Sequence, residues 1–272
     1  MPSVLVTGAS RGIGRATAER LVALGWTVYA GVRSDGDAPQ GTTPVIVDVT
    51  DDTQVAALAD ALPERLDAVV NNAGVVVAGP VEALTAEDLR RQLDINVVGQ
   101  VAVTKAVLPK LRAAGGRIVF VSSVSGRIST PMTGAYTASK FALEAIGDAL
   151  RVELRPWGIP VSLVEPGAID TDMWQTAPEM IEETNTAMAP EYQQLYAGHV
   201  DGMRKTVRFI QKQASAPATV VAAIEQALTA ENPKARYVVG MDSKAQLAAK
   251  AVLPTRMFDA ILARGTGTPK RR

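Results

Sequence analysis

Short runs of β-branched residues alternate with longer, alanine-rich stretches along this chain. "SVLVT" (3–7), "TVYAGV" (27–32), "PVIVDV" (44–49) and "DAVVNNAG" (67–74) read as strands, as do "GRIVFVSS" (116–123), "IPVSLVEPG" (159–167) and "RYVVG" (236–240). Between the first two, "GRATAERLVAL" (14–24) sets Ala18, Leu21, Val22 and Gly25 on one side and Glu19 and Arg20 elsewhere, a helical rhythm. Further helices are expected near 52–61, 86–113, 135–155 and 217–230. Runs apolar on both faces suit parallel strands covered by helices on both sides. The alternation therefore predicts an α/β fold, a doubly wound parallel sheet of about seven strands in one domain over 1–272.

The stretch 170–213 breaks this rhythm. It holds Met173, Met180, Met188, Trp174, two tyrosines and scattered charges. It follows the C-terminal end of a strand, where open α/β sheets bind ligands. A substrate lid is expected here; a helical insertion packed on the body is the plainer alternative. Residues 241–272 read as a C-terminal helical extension, two short helices broken by Pro254.

Composition narrows the chemistry. Of 272 residues, 47% are hydrophobic, enough for a sizeable core. Lys plus Arg and Asp plus Glu both number 28, so the net charge is +0 and no global attraction to nucleic acid or an anionic membrane is expected. The basic ending "TPKRR" reads as a solvated tail. There are no cysteines, which excludes disulfides, zinc–thiolate sites, iron–sulfur clusters and thiol nucleophiles, and no metal site is expected. No secretory signal is read in "MPSVLVTGAS", and no stretch approaches the roughly 20 apolar residues of a membrane span. A cytoplasmic location is expected. His199 is the one histidine, so proton chemistry falls to other groups.

"LVTGASRGIG" joins the first strand to the first helix. Gly8, Gly12 and Gly14 allow a tight turn and close approach of backbone N–H groups to a diphosphate, with Ser10, Arg11 and Ile13 lining it. The helix behind points its positive end at that anion. The same glycines could serve a purely structural turn, but their place between strand and helix is what dinucleotide binding requires. Arg33 lies just past the second strand, where NAD-preferring sites place an acid for the ribose. Arg11 and Arg33 would pair with a 2′-phosphate, favouring NADP(H) over NAD(H).

Of five tyrosines, Tyr136 alone has a lysine four residues on. Residues i and i+4 share a helix face, and an ammonium beside a phenol lowers its pKa. Tyr136 and Lys140 could thus form a proton donor tuned towards neutral pH. Ser123, at the end of a strand and thirteen residues earlier, could hydrogen-bond a substrate oxygen; taken alone, a helix-cap or turn serine is the stronger reading.

T-G-x-x-x-G-x-G at 7–14, N-N-A-G at 71–74, Asn96 in "LDINVVG", Ser123, Y-x-x-x-K at 136–140 and P-G at 166–167 occur in this order. Together, over roughly residues 3–240, they resemble the short-chain dehydrogenase/reductase family, with its Rossmann-like fold. The resemblance implies Tyr136 as general acid/base and Ser123 as orienter of the substrate oxygen. It implies that Lys140 lowers the tyrosine pKa and binds the nicotinamide ribose, and that Asn96 holds a water of a proton relay. It also implies adenine contacts by Asp48 and Val49, cofactor contacts by Asn72, Ala73 and Gly74, and nicotinamide contacts by Pro166, Gly167, Ile169 and Thr171. "ARYVVGMDSKAQ" and "LPTRMFDAIL" resemble the branch of 17β-hydroxysteroid and retinol dehydrogenase-like enzymes. A bulky apolar alcohol or ketone is then expected, with Met173, Trp174, Met180 and Met188 as a flexible wall or simply as helix packing.

The leading reading is an NADP(H)-dependent oxidoreductase acting on a small-molecule carbonyl/alcohol pair. A 3-oxoacyl-thioester reductase comes second, because a thioester carrier would meet a basic entrance and the lid carries both signs of charge. A cofactor-sensing protein without turnover is the third, opposed by the intact Asn96, Ser123, Tyr136 and Lys140. By resemblance the chain forms a homodimer or homotetramer through the long helices near 86–113 and 135–155. His199 reads as a surface or lid residue.

Overall fold

Seven strands pair in parallel in the order β3-β2-β1-β4-β5-β6-β7 in a computed structural model that describes residues 1–269. They are β1 (Ser3–Thr7), β2 (Thr27–Val32), β3 (Thr43–Ile46), β4 (Ala68–Asn71), β5 (Arg117–Val121), β6 (Val161–Pro166) and β7 (Arg236–Val239). Each overlaps a strand expected from the sequence, with β3 ending at Ile46, short of the expected Val49. The pleat sends alternate residues to opposite faces. Val4 and Val6 of β1 therefore join Val70 and Val119 in one core, whereas Leu5 joins Val69, Ile118 and Phe120 in the other. Helices α1 (Gly12–Ala23) and α9 (Pro217–Thr229) cover the first face; α2 (Asp52–Ala61), α4 (Gln100–Ala114) and α5 (Gly134–Glu153) cover the second. The result is a single Rossmann-like domain with helices on both faces.

Two boundaries differ for physical reasons. The strand expected over 67–74 ends at Asn71, because the backbone beyond is held by side chains and not by a neighbouring strand. The helix expected over 86–113 is divided into α3 (Ala86–Leu93) and α4 by a π-helical segment, Asp94–Gly99. Such wide turns are rare and concentrate at functional sites.

The segment 170–213 forms α6 (Asp172–Gln175), α7 (Ala177–Ala187) and α8 (Pro190–Gln213). It has its own apolar cluster, in which Ile181, Met188, Val200 and Val207 pack with Met132 of the body and with Trp174, Tyr192 and Tyr196. Arg204 of α8 forks onto Glu182 of α7 with two bonds of 2.8 Å. α10 (Met241–Val252) and α11 (Thr255–Gly265) follow β7 and are separated at Pro254, as expected. Lys270–Arg272, the end of the expected solvated tail, lie outside the described residues, as does the side chain of Met173. No helix among the described residues is long and apolar enough to cross a membrane.

Candidate active site

The turn after β1 is built for close approach. Gly8 and Gly12 have φ of +64° and +54°, a region that side chains disfavour. A Cβ on Gly14 would collide with the Gly8 carbonyl oxygen. Asn72 clasps the turn, its Nδ2 donating to the Thr7 and Gly8 carbonyls at 3.0 and 3.2 Å. The hydroxyl of Thr7 accepts from the Asn72 and Ala73 amides at 3.0 and 3.1 Å. α1 starts with no side-chain cap and no acid in its first turn, leaving its N–H groups free for an anion. These features fit a dinucleotide diphosphate. Ser10, Arg11 and Ile13 lie on the same turn, with Arg11 exposed.

Arg33 is exposed just past β2, and its charge reaches Asp48 past β3. The Asp48 carboxylate accepts from the Thr50 hydroxyl and amide at 2.7 and 2.9 Å, and chiefly these bonds hold its pKa below the usual carboxylate value. Val49 is buried beside Gly99, where a Cβ would strike it. Arg11, Arg33, Asp48 and Val49 thus stand beyond the C-terminal ends of β1 to β3. Asn72–Gly74, Ser123 and Pro166–Thr171 follow β4, β5 and β6 on the same edge. The order of the strands reverses between β1 and β4, the switch point at which such sheets bind ligands.

On the β4–β6 side the four candidate catalytic residues converge. Ser123 caps a short turn after β5; its Oγ accepts from the Ser125 amide at 3.1 Å and donates to the Pro166 carbonyl at 3.3 Å. The phenol of Tyr136, in the first turn of α5, lies beside Ser123. Burial raises the pKa of that phenol, and the neighbouring Ser123 offsets only part of the shift. Lys140 is buried one turn on, with Nζ donating to the Val121 carbonyl at 2.8 Å. Its ammonium is 5.9 Å from the centre of the Tyr136 ring. The lowering of the tyrosine pKa implied by the resemblance is therefore not found in the free protein. It is the lysine that shifts, down to about 8, because burial disfavours its charge more than nearby Glu144 restores it. Glu144 accepts from Arg236 Nε at 3.0 Å, and Arg236 also donates to Asp148 at 2.7 Å, fixing α5 to β7.

Asn96 sits fully buried in the π-helical segment. Its Nδ2 donates to the Val75 carbonyl at 3.0 Å and to Ser139 Oγ at 3.1 Å, while its Oδ1 accepts from the Val75 amide at 2.9 Å. The Ser139 hydroxyl in turn donates to the Tyr136 carbonyl at 2.7 Å. Two residues missed in the sequence flank Asn96. Gln92 accepts from the Val77 amide at 2.6 Å and donates to the Val75 carbonyl at 2.9 Å. Gln100 donates to the Ala73 carbonyl at 2.7 Å. Three buried amides spaced four apart thus hold the irregular backbone of 73–77, whose polar groups need partners. Their regular spacing is the signal that could have found them. Met132 was also missed: it is the non-glycine residue with positive φ, +67°, among those described. It lies four residues before Tyr136, with its carbonyl accepting from Gly79 at 2.7 Å and its side chain in the apolar cluster of 170–213.

Ile169 is buried, and Thr171 faces Gly12 across the turn, 3.7 Å from where a Cβ would stand. Trp174 is partly buried, its carbonyl accepting from Gln211 of α8 at 2.7 Å, and Met188 is buried in the cluster. His199 lies on α8, its ring 5.2 Å from that of Tyr196. Among the described residues no group of acids and histidines could hold a metal ion.

This site and sheet define a nicotinamide-dependent oxidoreductase of the alcohol/carbonyl pair, and a family model described as short chain dehydrogenase matches residues 2–182. The chain belongs to that family. It is 35% identical to an NADPH-dependent 3-dehydrocapnine reductase of Ornithobacterium rhinotracheale, over 96% of each chain. It is 36% identical to mouse retinol dehydrogenase 5, over 95% of this chain and 87% of the other. A short chain dehydrogenase from Burkholderia cenocepacia, solved in complex with NADP, superposes with a TM-score of 0.75 at 28% identity over 98% of both chains.

Proposed function

We propose that the chain is an NADP(H)-dependent reductase of a bulky, apolar ketone or aldehyde, with Tyr136 as its general acid. The observation that carries this reading is the contact of Ser123 with the Tyr136 hydroxyl at the sheet's ligand-binding edge, with Lys140 buried behind. A carbonyl oxygen placed there would accept from both hydroxyls. Tyr136 Oη would give up its proton to that oxygen as the alcohol forms, and take it back in the reverse direction. The raised pKa keeps the phenol protonated at neutral pH, the state that reduction requires. Asn96 and Ser139 would hold the first turn of α5 so that this hydroxyl is aimed.

The cofactor would supply the hydride. Gly8–Gly14 and the free N–H groups of α1 would take its diphosphate, Asp48 and Val49 the adenine, and Asn72–Gly74, Lys140 and Pro166–Thr171 the nicotinamide half. Arg11 and Arg33 favour a 2′-phosphate, a preference supported by the NADPH-dependent relative and by the neighbour solved with NADP. The retinol dehydrogenase relative supports a large apolar substrate, with 170–213, whose apolar side chains pack on one another and on Met132, as its lid. A homo-oligomer through α4 and α5 remains part of the proposal.

The test is NADPH consumption against steroid, retinoid, aliphatic and acyl-thioester carbonyls, with Tyr136→Phe alongside. Turnover confined to bulky apolar carbonyls, and lost in Tyr136→Phe with NADPH still bound, is the expected result. Turnover of acyl thioesters alone would overturn the substrate reading, and turnover retained in Tyr136→Phe would overturn the role of the tyrosine.

A further inference from the structure

Lys140 carries its amine into the interior, where a charge needs a partner of opposite sign. Its own hydrogen bond goes to a carbonyl, which bears no net charge. One turn along α5, and so on the same helix face, stands Glu144, which is also buried. The short turn that carries Ser123 closes over it: a Cβ on Gly126 would stand 2.8 Å from Glu144 Cγ. Glu144 Oε2 accepts from Arg236 Nε at 3.0 Å, and Glu165 of β6, wholly buried, sets Oε1 3.1 Å from the same nitrogen. Arg127 stands 3.4 Å from the other Glu165 oxygen. Burial first, and then the Glu144 charge, push the Glu165 carboxyl up to about 7.

A tie between α5 and β7 does not need this arrangement. Arg236 already reaches Asp148 at 2.7 Å nearer the surface, where little desolvation is involved. Two buried carboxyls around the same guanidinium add a desolvation cost. What Glu144 has and Asp148 lacks is nearness to Lys140: Asp148 lies a further turn away, and it is the Glu144 charge that acts on the lysine. Among the described residues, the charged groups of the other elements packed on α5 lie elsewhere. Glu87, Arg90, Arg91 and Asp94 are exposed, and Asp88 is held by the Thr85 hydroxyl. Lys250 of α10 is exposed over the Phe141 ring, and Arg151 is paired with Asp148.

We propose that Glu144 is a positioning residue of this site: its carboxylate, held by Arg236, keeps the buried Lys140 ammonium charged. The inference rests on the reading of Lys140 as a group that holds the cofactor. A charged lysine has three N–H donors; Val121 takes one, and two are left for a bound cofactor. A neutral amine would have one left.

The experiment is carbon-13 NMR titration of the lysine Cε signals in the free protein, with the Lys140 signal assigned by its loss in Lys140→Met. The wild-type midpoint is expected at about 8. In Glu144→Gln it should fall by about one pH unit. In Arg236→Met, which leaves the carboxylate without its cation, it should rise. Damage to packing alone would move both midpoints the same way, and if one variant does not fold the direction of the other decides. Asp148→Asn, which cuts only the outer tie, should leave the midpoint in place. NADPH affinity of Glu144→Gln should match the wild type near pH 6 and fall behind it by up to about tenfold above pH 8. A midpoint unmoved by Glu144→Gln, a fall in Arg236→Met, or an equal shift in Asp148→Asn would overturn the proposal. A midpoint that falls in Glu144→Gln while NADPH affinity keeps its wild-type pH dependence would support the charge coupling and overturn the cofactor role of Lys140 instead.

Discussion

Lys140 holds its ammonium against the Val121 carbonyl, 2.8 Å away, and 5.9 Å from the centre of the Tyr136 ring. The charge that would make the phenol acidic is thus occupied with the end of β5, and burial dominates the tyrosine. In the free protein the Tyr136 phenol should therefore titrate above the ordinary tyrosine value of 10.0. Alkaline absorbance titration of the wild type, with that of Tyr136→Phe subtracted, measures this. A phenolate appearing near neutral pH would show that Lys140 already acts on the hydroxyl without cofactor.

The same burial gives Lys140 a stability signature. Its pKa falls from 10.5 in the unfolded chain to about 8 when folded. Below about 8 the lysine is charged in both states, and the folded state bears the full cost of burying the charge. As pH rises from 8 towards 10.5 the folded form sheds its proton first, and the cost disappears. Lys140→Met removes the charge but strands the Val121 carbonyl. Relative to wild type it should therefore lose stability as pH rises from 7 to 10, by up to about 3 kcal/mol, while turnover is abolished at every pH. Urea unfolding across that range checks the slope; a gap independent of pH would refute the shifted lysine.

Arg33 and Asp48 stand near one another beyond β2 and β3. An arginine there can pair with a 2′-phosphate, while NADH offers it nothing comparable. Arg33→Ala should weaken NADPH binding by roughly 1–3 kcal/mol, the worth of a charged hydrogen bond, and leave NADH binding unchanged. Fluorescence titration with the two cofactors decides; equal losses for both would remove the basis for NADP preference.

The sheet was legible because strands buried on both faces leave continuous β-branched runs, and the helices because their apolar faces repeat. The site was legible where a motif requires a particular residue at a particular spacing, as in Gly8–Gly14 and Tyr136–Lys140. What escaped was set by tertiary contact. Gln92 and Gln100 look like surface amides of an amphipathic helix until the π-helical segment and the turn of the chain at 73–77 bring them inside. Met132 gives no local sign of its positive φ; its contacts, the Gly79 amide on its carbonyl and the cluster of 170–213 around its side chain, are all distant in sequence. The pKa shift of Lys140 needed the depth of burial, which spacing along a helix does not give.

Gln92 offers the sharpest test of how the backbone at 73–77 is held. It accepts from one amide and donates to one carbonyl, so both ends of its side chain are needed. A protonated glutamic acid has the same two abilities, whereas an ionised one keeps only the acceptor and sets a negative charge against the Val75 carbonyl. Gln92→Glu should therefore resemble the wild type at low pH. As pH rises through the pKa of the new carboxyl, which burial places above its ordinary value, its activity relative to wild type should fall by roughly tenfold or more. Turnover ratios across pH, with circular dichroism to confirm that the variant stays folded, provide the measurement. A constant ratio would mean that Gln92 merely fills space, and that Asn96 and Gln100 hold the segment without it.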